Sequence, residues 1–164
     1  GAHNRWNAGV AMLLAAQVGV VPQDLSTLQG LPHRLEPVLS RDQRVWINDS
    51  KATNVEAAQV GISALKGPGV VLLGGQGKDG ADYGMLKGAI SGRPLICFGQ
   101  AGPEIHAVLG GELVATMEQA VARAQQLSLP GESVLLSPAC SSFDAFDNFE
   151  QRGRIFARLV QELS

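Results

Sequence analysis

The stretch VVLLGG, residues 70–75, is a short apolar run that ends in two glycines. A continuous apolar run of this length is typical of a strand buried on both faces of a parallel sheet. The runs PLICFG (94–99), ELVAT (112–116) and SVLLSPA (133–139) follow the same pattern, with helical periodicity between them. The sequence therefore predicts an α/β fold: a Rossmann-like, mostly parallel sheet with helices on both faces.

Two further strands precede this core. Residues 35–39 and 44–48 are predicted as strands joined by the polar turn 40–43, which makes a short N-terminal β-hairpin. The predicted helices cover residues 5–18, 22–30, 54–66, 82–90, 103–109, 117–127 and 146–163.

Composition excludes several classes of protein. The 164 residues are 45% hydrophobic and 17% charged with a net charge of −2, which is typical of a soluble globular domain and gives no reason to expect nucleic acid or membrane partners. Cys97 and Cys140 lack CxxC spacing, and none of the three histidines pairs at helical spacing, so no metal site is predicted. Because the chain begins with Gly1 rather than Met, we expect it to be a segment of a longer protein.

Three polar clusters each follow the end of an apolar strand. They are NDSKATN (48–54), GGQGKDG (74–80) and SPACSSFD (137–144). In open parallel sheets, ligands bind in the crevice outside the carboxyl ends of the strands. The three loops are therefore predicted to face one crevice.

The glycine-rich cluster fails as a phosphate loop. The pattern GxxxxGK[ST] would need Gly at position 72 and Ser or Thr at position 79, where the chain has Leu72 and Asp79. The glycines still let backbone approach an anion, with Lys78 supplying a positive charge. From spacing alone, a solvated lysine in a mobile turn is an equal alternative.

The other two clusters are also ambiguous on their own. Ser142 lies near the start of the last helix, where free N–H groups favour an anion, although helix capping by Ser142 or Asp144 explains it as well. No GxSxG motif supports a serine hydrolase. If residues 49–51 are extended, Asp49 and Lys51 point to one face, whereas Ser50 or Thr53 could equally serve as a helix cap.

Taken in order, five stretches carry a resemblance to a known family. HNRWN (3–7), GLPHRLE (30–36), WINDSKATN (46–54), LLGGQGKD (72–79) and LLSPACSSFDAFDNFEQRG (135–153) resemble the C-terminal region of the Mur ligases, and among them of the ligases that add D-glutamate. The resemblance spans essentially the whole chain.

The resemblance implies a reaction and a domain arrangement. ATP would phosphorylate the carboxylate of UDP-N-acetylmuramoyl-L-alanine, and the amine of D-glutamate would attack the acyl phosphate to form an amide during peptidoglycan synthesis. Residues 1–30 would end the central ATP-binding domain, and residues 31–164 would form the C-terminal, D-glutamate-binding domain. The main sites for ATP and Mg²⁺ would lie upstream, so the isolated chain is predicted to be inactive and the full ligase a cytoplasmic monomer.

The resemblance also assigns residues. Lys51 would stabilise charge at the reacting centre, and His33, Arg34 and Asp49 would contact the nucleotide together with Asn4 and Asn7. The D-glutamate carboxylates would be held by Thr53, Lys78, Ser142 and the backbone around Phe149. Thus NDSKATN would face nucleotide with its first half and amino acid with its second. Two alternatives stay open: a stand-alone Rossmann-like module for a small anionic metabolite, and another amide ligase of the same superfamily.

Overall fold

The computed structural model describes residues 2–20 and 30–163, and the side chains from residue 8 onward. The chain divides into two compact units, residues 1–30 and 31–164. The first unit contains helix α1 (Ala2–Gln17), which confirms the helix predicted over 5–18. The helix predicted over 22–30 and the side chains of Asn4 and Asn7 lie outside the described residues.

The second unit is built on a six-stranded sheet. Its strands are β1 (Glu36–Val38), β2 (Val45–Asn48), β3 (Gly69–Gly74), β4 (Leu95–Phe98), β5 (Glu112–Leu113) and β6 (Ser133–Leu136). They lie in the order β1-β2-β6-β3-β4-β5, with β1 and β2 antiparallel and every other neighbouring pair parallel. The mostly parallel sheet and the N-terminal hairpin are thereby confirmed.

Helices cover both faces of this sheet, as predicted. They are α2 (Val55–Ser63), α3 (Lys87–Ile90), α4 (Gly102–Leu109), α5 (Met117–Leu127) and α6 (Phe149–Gln161), with a 3-10 turn at Tyr83–Leu86 before α3. Along β3, Val71 and Leu73 join one hydrophobic cluster, whereas Val70 and Leu72 join the other. Period-two alternation with apolar residues on both sides is what a sheet buried on both faces requires.

The helix caps differ from those considered from sequence. Asn54, rather than Ser50 or Thr53, caps α2, because its side chain accepts a hydrogen bond from Ala57 N at 2.8 Å. Asn148, rather than Ser142 or Asp144, caps α6 through Gln151 N at 2.7 Å. Helix α6 therefore begins three residues later than predicted, and residues 137–148 form a longer loop than expected.

Close backbone packing requires glycine at the last residue of β3, Gly74, and at the residue after it, Gly75. Gly74 and Gly75 have φ angles of 150° and 131°, which glycine adopts far more readily than other residues. A Cβ on Gly74 would overlap the carbonyl of Phe98, and one on Gly75 would overlap the carbonyl of Ser141. The loop after β3 can thus lie directly against the loops after β4 and β6.

Two strands end earlier than the apolar runs that predicted them. The strand predicted over 133–139 stops at Leu136, and the one predicted over 112–116 stops at Leu113. Their remaining residues already belong to the loops at the carboxyl edge. Among the described residues, no helix is long and apolar enough to cross a membrane.

Candidate functional site

The strand order places the three polar loops beside one another. Strand β6 lies between β2 and β3, and the register aligns Asn48 with Leu136 and Leu136 with Leu72. The chain therefore leaves these three neighbouring strands at the same edge of the sheet. The three clusters therefore lie side by side, where β6 separates two strands that are consecutive in sequence, a position at which α/β folds open a ligand crevice. That all three face one crevice stays a prediction.

The loop after β2 turns instead of running extended. Ala52 N donates to the carbonyl of Asp49 at 2.9 Å, and Thr53 N donates to the carbonyl of Lys51 at 2.9 Å. As a result Asp49 is buried while Lys51 is exposed. The condition under which the two side chains would share a face, an extended backbone, is therefore not met.

The carboxylate of Asp49 is held inside the protein. Ser137 Oγ donates to it at 2.8 Å, and Leu35 N donates to it at 3.2 Å. Burial raises the pKa of Asp49 to about 6, although these two hydrogen bonds and the positive charge of Arg34 oppose the shift. Asp49 thus ties the segment that carries Arg34 to the loop after β6, and its contact with a nucleotide stays a prediction.

Asn48 is the buried centre of a second set of contacts. Its Oδ1 accepts a hydrogen bond from Ser50 N at 3.1 Å, and its Nδ2 donates to the carbonyl of Gly153 at 3.2 Å. These two bonds fix the orientation of the amide, so Nδ2 also faces His33 Nδ1, at 2.9 Å, as a donor. The same Nδ2 also donates to Glu36 Oε2 at 3.3 Å, so Asn48 holds His33 and Glu36 together beside α6.

His33, Lys51 and Phe149 form a contiguous group. Lys51 N donates to the carbonyl of His33 at 3.0 Å, and the ring of His33 meets Phe149 edge-on at 6.4 Å between centroids. Lys51 Nζ lies 4.9 Å from the centroid of the Phe149 ring, within the range of a cation–π contact. The exposed lysine therefore has a defined position above the first residue of α6.

The loop after β6 is joined to the loop after β3. Gln76 N donates to the carbonyl of Ser141 at 2.9 Å, and Ser141 Oγ donates back to the carbonyl of Gln76 at 3.0 Å. The next residue, Ser142, is only 2% exposed, and its carbonyl accepts hydrogen bonds from Ala145 N and Phe146 N. Ser142 therefore sits in a fixed turn ahead of α6 and not at the first turn of the helix.

Lys78 faces the loop after β4 and not the loops after β2 and β6. It lines a cavity of about 540 Å³ between the loops after β3 and β4, together with Gln76, Gly77, Asp79, Gly80, Gln100, Ala101 and Glu104. Thr53, Ser142 and Phe149 do not line this cavity. The structure thus gathers His33, Lys51 and Phe149 into direct contact, places Ser142 in the loop after β6, which is joined to the loop after β3, and directs Lys78 to a cavity beside that loop.

Arg152 is the functional-site residue that the sequence interpretation missed most clearly. It is completely buried, and its guanidinium group donates to Ser50 Oγ at 2.9 Å and to the carbonyls of Ser50, Cys140 and Ser141 at 2.9, 3.1 and 3.0 Å. Burial lowers the pKa of Arg152 to about 10, so the group stays charged at neutral pH.

A pattern in the sequence does point to Arg152. Residues 149, 152, 156 and 160 recur at helical spacing, and the members at 149, 156 and 160 are Phe149, Phe156 and Val160. An arginine in that series lies on the buried face of α6, where a charge requires specific partners. Asn48, Ser50 and Ser137 carry no comparable pattern, because their partners are distant in sequence.

Neither the cysteines nor the carboxylates suggest another kind of centre. Cys97 and Cys140 are buried free thiols, and burial raises the pKa of Cys97 to about 12, far from a reactive thiolate. Within residues 2–20 and 30–163, no three His, Cys, Asp or Glu side chains are grouped so that they could hold a metal ion. We therefore assign none of these residues to Mg²⁺.

Sequence comparison finds extensive similarity to known ligases. No protein-family model matches the chain. It is 40% identical over 174 residues to the UDP-N-acetylmuramoylalanine–D-glutamate ligase of Salinibacter ruber, and 44% identical over 173 residues to the ligase of the same name from Escherichia coli K12. Each alignment covers 99% of this chain and 38% or 39% of the relative, so the chain spans well under half the length of these curated relatives.

Solved structures share the fold at lower sequence identity. The MurF ligase of Thermotoga maritima in complex with ADP matches with a TM-score of 0.69 and 17% identity, over 94% of this chain and 38% of that one. A MurF of Acinetobacter baumannii matches with a TM-score of 0.65 and 21% identity, over 98% of this chain and 38% of that one. At these identities the structural similarity establishes the architecture alone.

Proposed function

We propose that this chain, which belongs to the Mur ligase family by its identity to UDP-N-acetylmuramoylalanine–D-glutamate ligases, is the part of such an enzyme that binds D-glutamate. The complete enzyme would join D-glutamate to UDP-N-acetylmuramoyl-L-alanine at the expense of ATP, in the cytoplasmic synthesis of peptidoglycan precursors. The observation that carries the proposal is the junction of the loops after β2, β6 and β3 at one sheet edge. A dicarboxylate needs cations, hydroxyls and N–H groups from several directions, and this junction supplies them.

In this proposal the loop after β2 serves the reacting groups. Lys51 presents an ammonium group to solvent, and its contact with Phe149 keeps it in place without neutralising it. A positive charge held there would stabilise the negative charge that develops as the amine attacks the acyl phosphate. Thr53 lies two residues further along the chain, half-buried ahead of the N-terminus of α2, where free N–H groups favour a carboxylate.

The other D-glutamate contacts would come from the neighbouring loops. The buried Ser142 would offer its hydroxyl to one carboxylate, with the backbone near Phe149 beside it. Lys78 is exposed at the rim of the 540 Å³ cavity, and its long side chain would pair with the second carboxylate.

Nucleotide contacts would come from the segment before β1, which contacts the loop after β2 through the hydrogen bond from Lys51 N to the carbonyl of His33. Arg34 is exposed and follows His33, whose imidazole Nδ1 lies 2.9 Å from Asn48 Nδ2. Asp49 would act here by holding the Arg34 segment in place from inside the protein. Asn4 and Asn7 are proposed to contact the nucleotide as well, and they belong to residues 1–30, which we assign to the end of the central ATP-binding domain. Exposed Leu13 and Leu14 on α1, with Val18 directly after it, support that assignment, because they leave an apolar surface for a larger domain to cover.

The isolated chain is proposed to bind the amino acid without turning it over. The main sites for ATP, Mg²⁺ and the UDP substrate would lie in the part of the enzyme that this chain does not contain. We further propose that the complete ligase works as a monomer, with no nucleic acid or membrane partner.

The test is an NMR titration of the ¹⁵N-labelled chain with D-glutamate, with L-glutamate as the stereochemical control. We expect amide shifts at Thr53, Lys78, Ser142 and Phe149 for the D enantiomer alone. Lys78→Ala should weaken the response by about tenfold, as expected for loss of a charge-assisted contact. Lys87→Ala, which removes an exposed lysine from α3, should leave it unchanged.

Other outcomes separate the alternatives. Equal shifts with both enantiomers would indicate a general module for anionic metabolites and refute the D-glutamate proposal. A response to L-glutamate alone would favour another amide ligase of the superfamily.

A further inference from the structure

Arg152 makes an unusual set of contacts for a buried charge. Its four hydrogen bonds reach three carbonyl oxygens and one hydroxyl. Among the described residues, no carboxylate accepts a hydrogen bond from it. Burying a charge costs free energy unless every polar contact is well made, so a site that uses an arginine in this way depends on its geometry.

These contacts join the loops of the candidate site. Ser50 belongs to the loop after β2, one residue before Lys51, and Cys140 and Ser141 belong to the loop after β6, directly before Ser142. The carbonyl of Ser141 accepts a hydrogen bond both from Arg152 Nη1 and from Gln76 N, which lies in the loop after β3. One guanidinium group on α6 therefore contacts two of the three loops and shares an acceptor with the third.

A directed chain of hydrogen bonds extends from Arg152 to Phe149. Arg152 Nε donates to Ser50 Oγ at 2.9 Å, so this oxygen acts as an acceptor and its own proton must point elsewhere. That proton is donated to the carbonyl of Phe149 at 2.8 Å. The position of the Phe149 backbone, and with it the ring beneath Lys51, is thereby linked to Arg152.

We propose that Arg152 is a positioning residue for substrate: it fixes the loop that carries Lys51 and Thr53 against the loop that carries Ser142, and so sets the affinity for the amino acid. This inference rests on the proposed function for the identity of the amino acid, but not for the coupling of the loops. Arg152 itself does not touch the substrate, because its donors are directed to the protein and its side chain is inaccessible to solvent.

An arginine is required here on geometric grounds. The planar guanidinium directs its donors in fixed directions to acceptors on two separate loops, whereas the ammonium group of lysine is a single point with three donors. A lysine at this position keeps the charge but cannot reach Ser50 Oγ, Ser50 O, Cys140 O and Ser141 O together. Arg152→Lys therefore separates the loss of positioning from the loss of charge.

The first experiment uses the labelled 164-residue chain and needs no ligand. In Arg152→Lys we expect amide shifts in all three loops, around Ser50, Gln76 and Ser142. Arg154→Lys makes the same chemical change at an exposed position two residues along α6, and it should shift only neighbouring amides. Shifts confined to α6 in Arg152→Lys would overturn the coupling of the loops, whatever the substrate is.

The second experiment measures steady-state kinetics in the full-length ligase that contains this chain. Arg152→Lys should raise the KM for D-glutamate by about tenfold while the KM for ATP changes by less than about twofold, because only the amino-acid contacts lose their spacing. Arg154→Lys should match the wild type. A D-glutamate KM within about twofold of the wild type would overturn the role of Arg152 in setting the affinity for the amino acid, whatever happens to kcat.

Two further outcomes have a defined meaning. If Arg152→Lys does not fold, Ser50→Ala replaces it: this change removes the two hydrogen bonds of Ser50 Oγ, one accepted from Arg152 Nε and one donated to the Phe149 carbonyl, and should raise the D-glutamate KM by about fivefold. No change in that KM would overturn the proposal. If the wild-type ligase does not use D-glutamate, the proposed function fails, and the amide shifts still decide whether Arg152 couples the loops.

Discussion

Asp49 shows how far a residue's surroundings can depart from what its neighbours in sequence suggest. Within a polar heptapeptide it is nearly closed to solvent, and removal from water is the main reason that its pKa rises from 3.8 to about 6. The hydrogen bonds from Ser137 and Leu35 favour the ionised form but only partly offset this effect. At neutral pH the carboxylate is ionised and accepts both bonds.

The shift predicts a dependence of stability on pH. Between about pH 4 and pH 6 the folded protein binds a proton at Asp49 more tightly than the unfolded chain does, so the contribution of this group to the free energy of unfolding falls as pH rises. A shift of this size corresponds to about 3 kcal/mol across the window. Asp49→Asn should remove this component, which urea denaturation at half-unit pH steps will measure as the difference between variant and wild type.

The control for this measurement is Asp79→Asn, which changes a carboxylate exposed in the loop after β3. Its stability should follow the wild-type curve across the same range of pH. A constant difference between Asp49→Asn and wild type from pH 4 to pH 7 would contradict the raised pKa of Asp49.

At the scale of the element, the residues on the buried face of helix α6 are explained by the parts of the protein that they contact. Its buried face combines Phe156 and Val160, which pack under the sheet, with Arg152 and Gly153, which face the loops. Glycine inside a helix is normally less stable than alanine by about 1 kcal/mol. At Gly153, however, a Cβ would overlap the ring of His33.

Gly153→Ala is therefore expected to destabilise the protein in spite of the better helix propensity of alanine. His33 cannot move away without losing its contact with Asn48, so we expect a net loss of about 1–3 kcal/mol, as for other overpacked sites. Gly88→Ala in α3, where no atom lies near the added methyl group, should be neutral or stabilising by up to about 1 kcal/mol. Chemical denaturation of both variants measures this difference, and equal stabilities would contradict the close packing of His33 on α6.

At the scale of the whole molecule, residues 31–164 contain the entire sheet and both hydrophobic clusters. A chain of about 130 residues buries roughly two-thirds of its unfolded surface and needs no disulfide to be stable. We therefore expect residues 31–164 alone to unfold in one cooperative transition, with a free energy of unfolding within about 1 kcal/mol of the 164-residue chain. Circular dichroism during urea denaturation tests this, and a broad transition for the shorter chain would refute it.

Most of the elements were predictable from local pattern. Apolar runs such as VVLLGG predict buried strands, and helical periodicity predicts α2, α5 and α6, because side-chain alternation depends only on nearby residues. The errors lie at element ends, where the cap depends on which of several polar residues reaches the free N–H groups. For this reason the sequence did not identify Asn54 and Asn148 as the N-caps of α2 and α6.

By itself, then, the sequence determined the α/β class, the hairpin and the three polar clusters at strand ends, together with motifs that place the chain among the Mur ligases. Only the tertiary structure decided that β6 lies between β2 and β3, that Asp49 turns inward, and that Arg152 joins the loops. The physical reason is distance along the chain. Asp49 meets Ser137 across 88 residues and Arg152 meets Ser50 across 102, and no local periodicity records which distant partner completes a buried polar group.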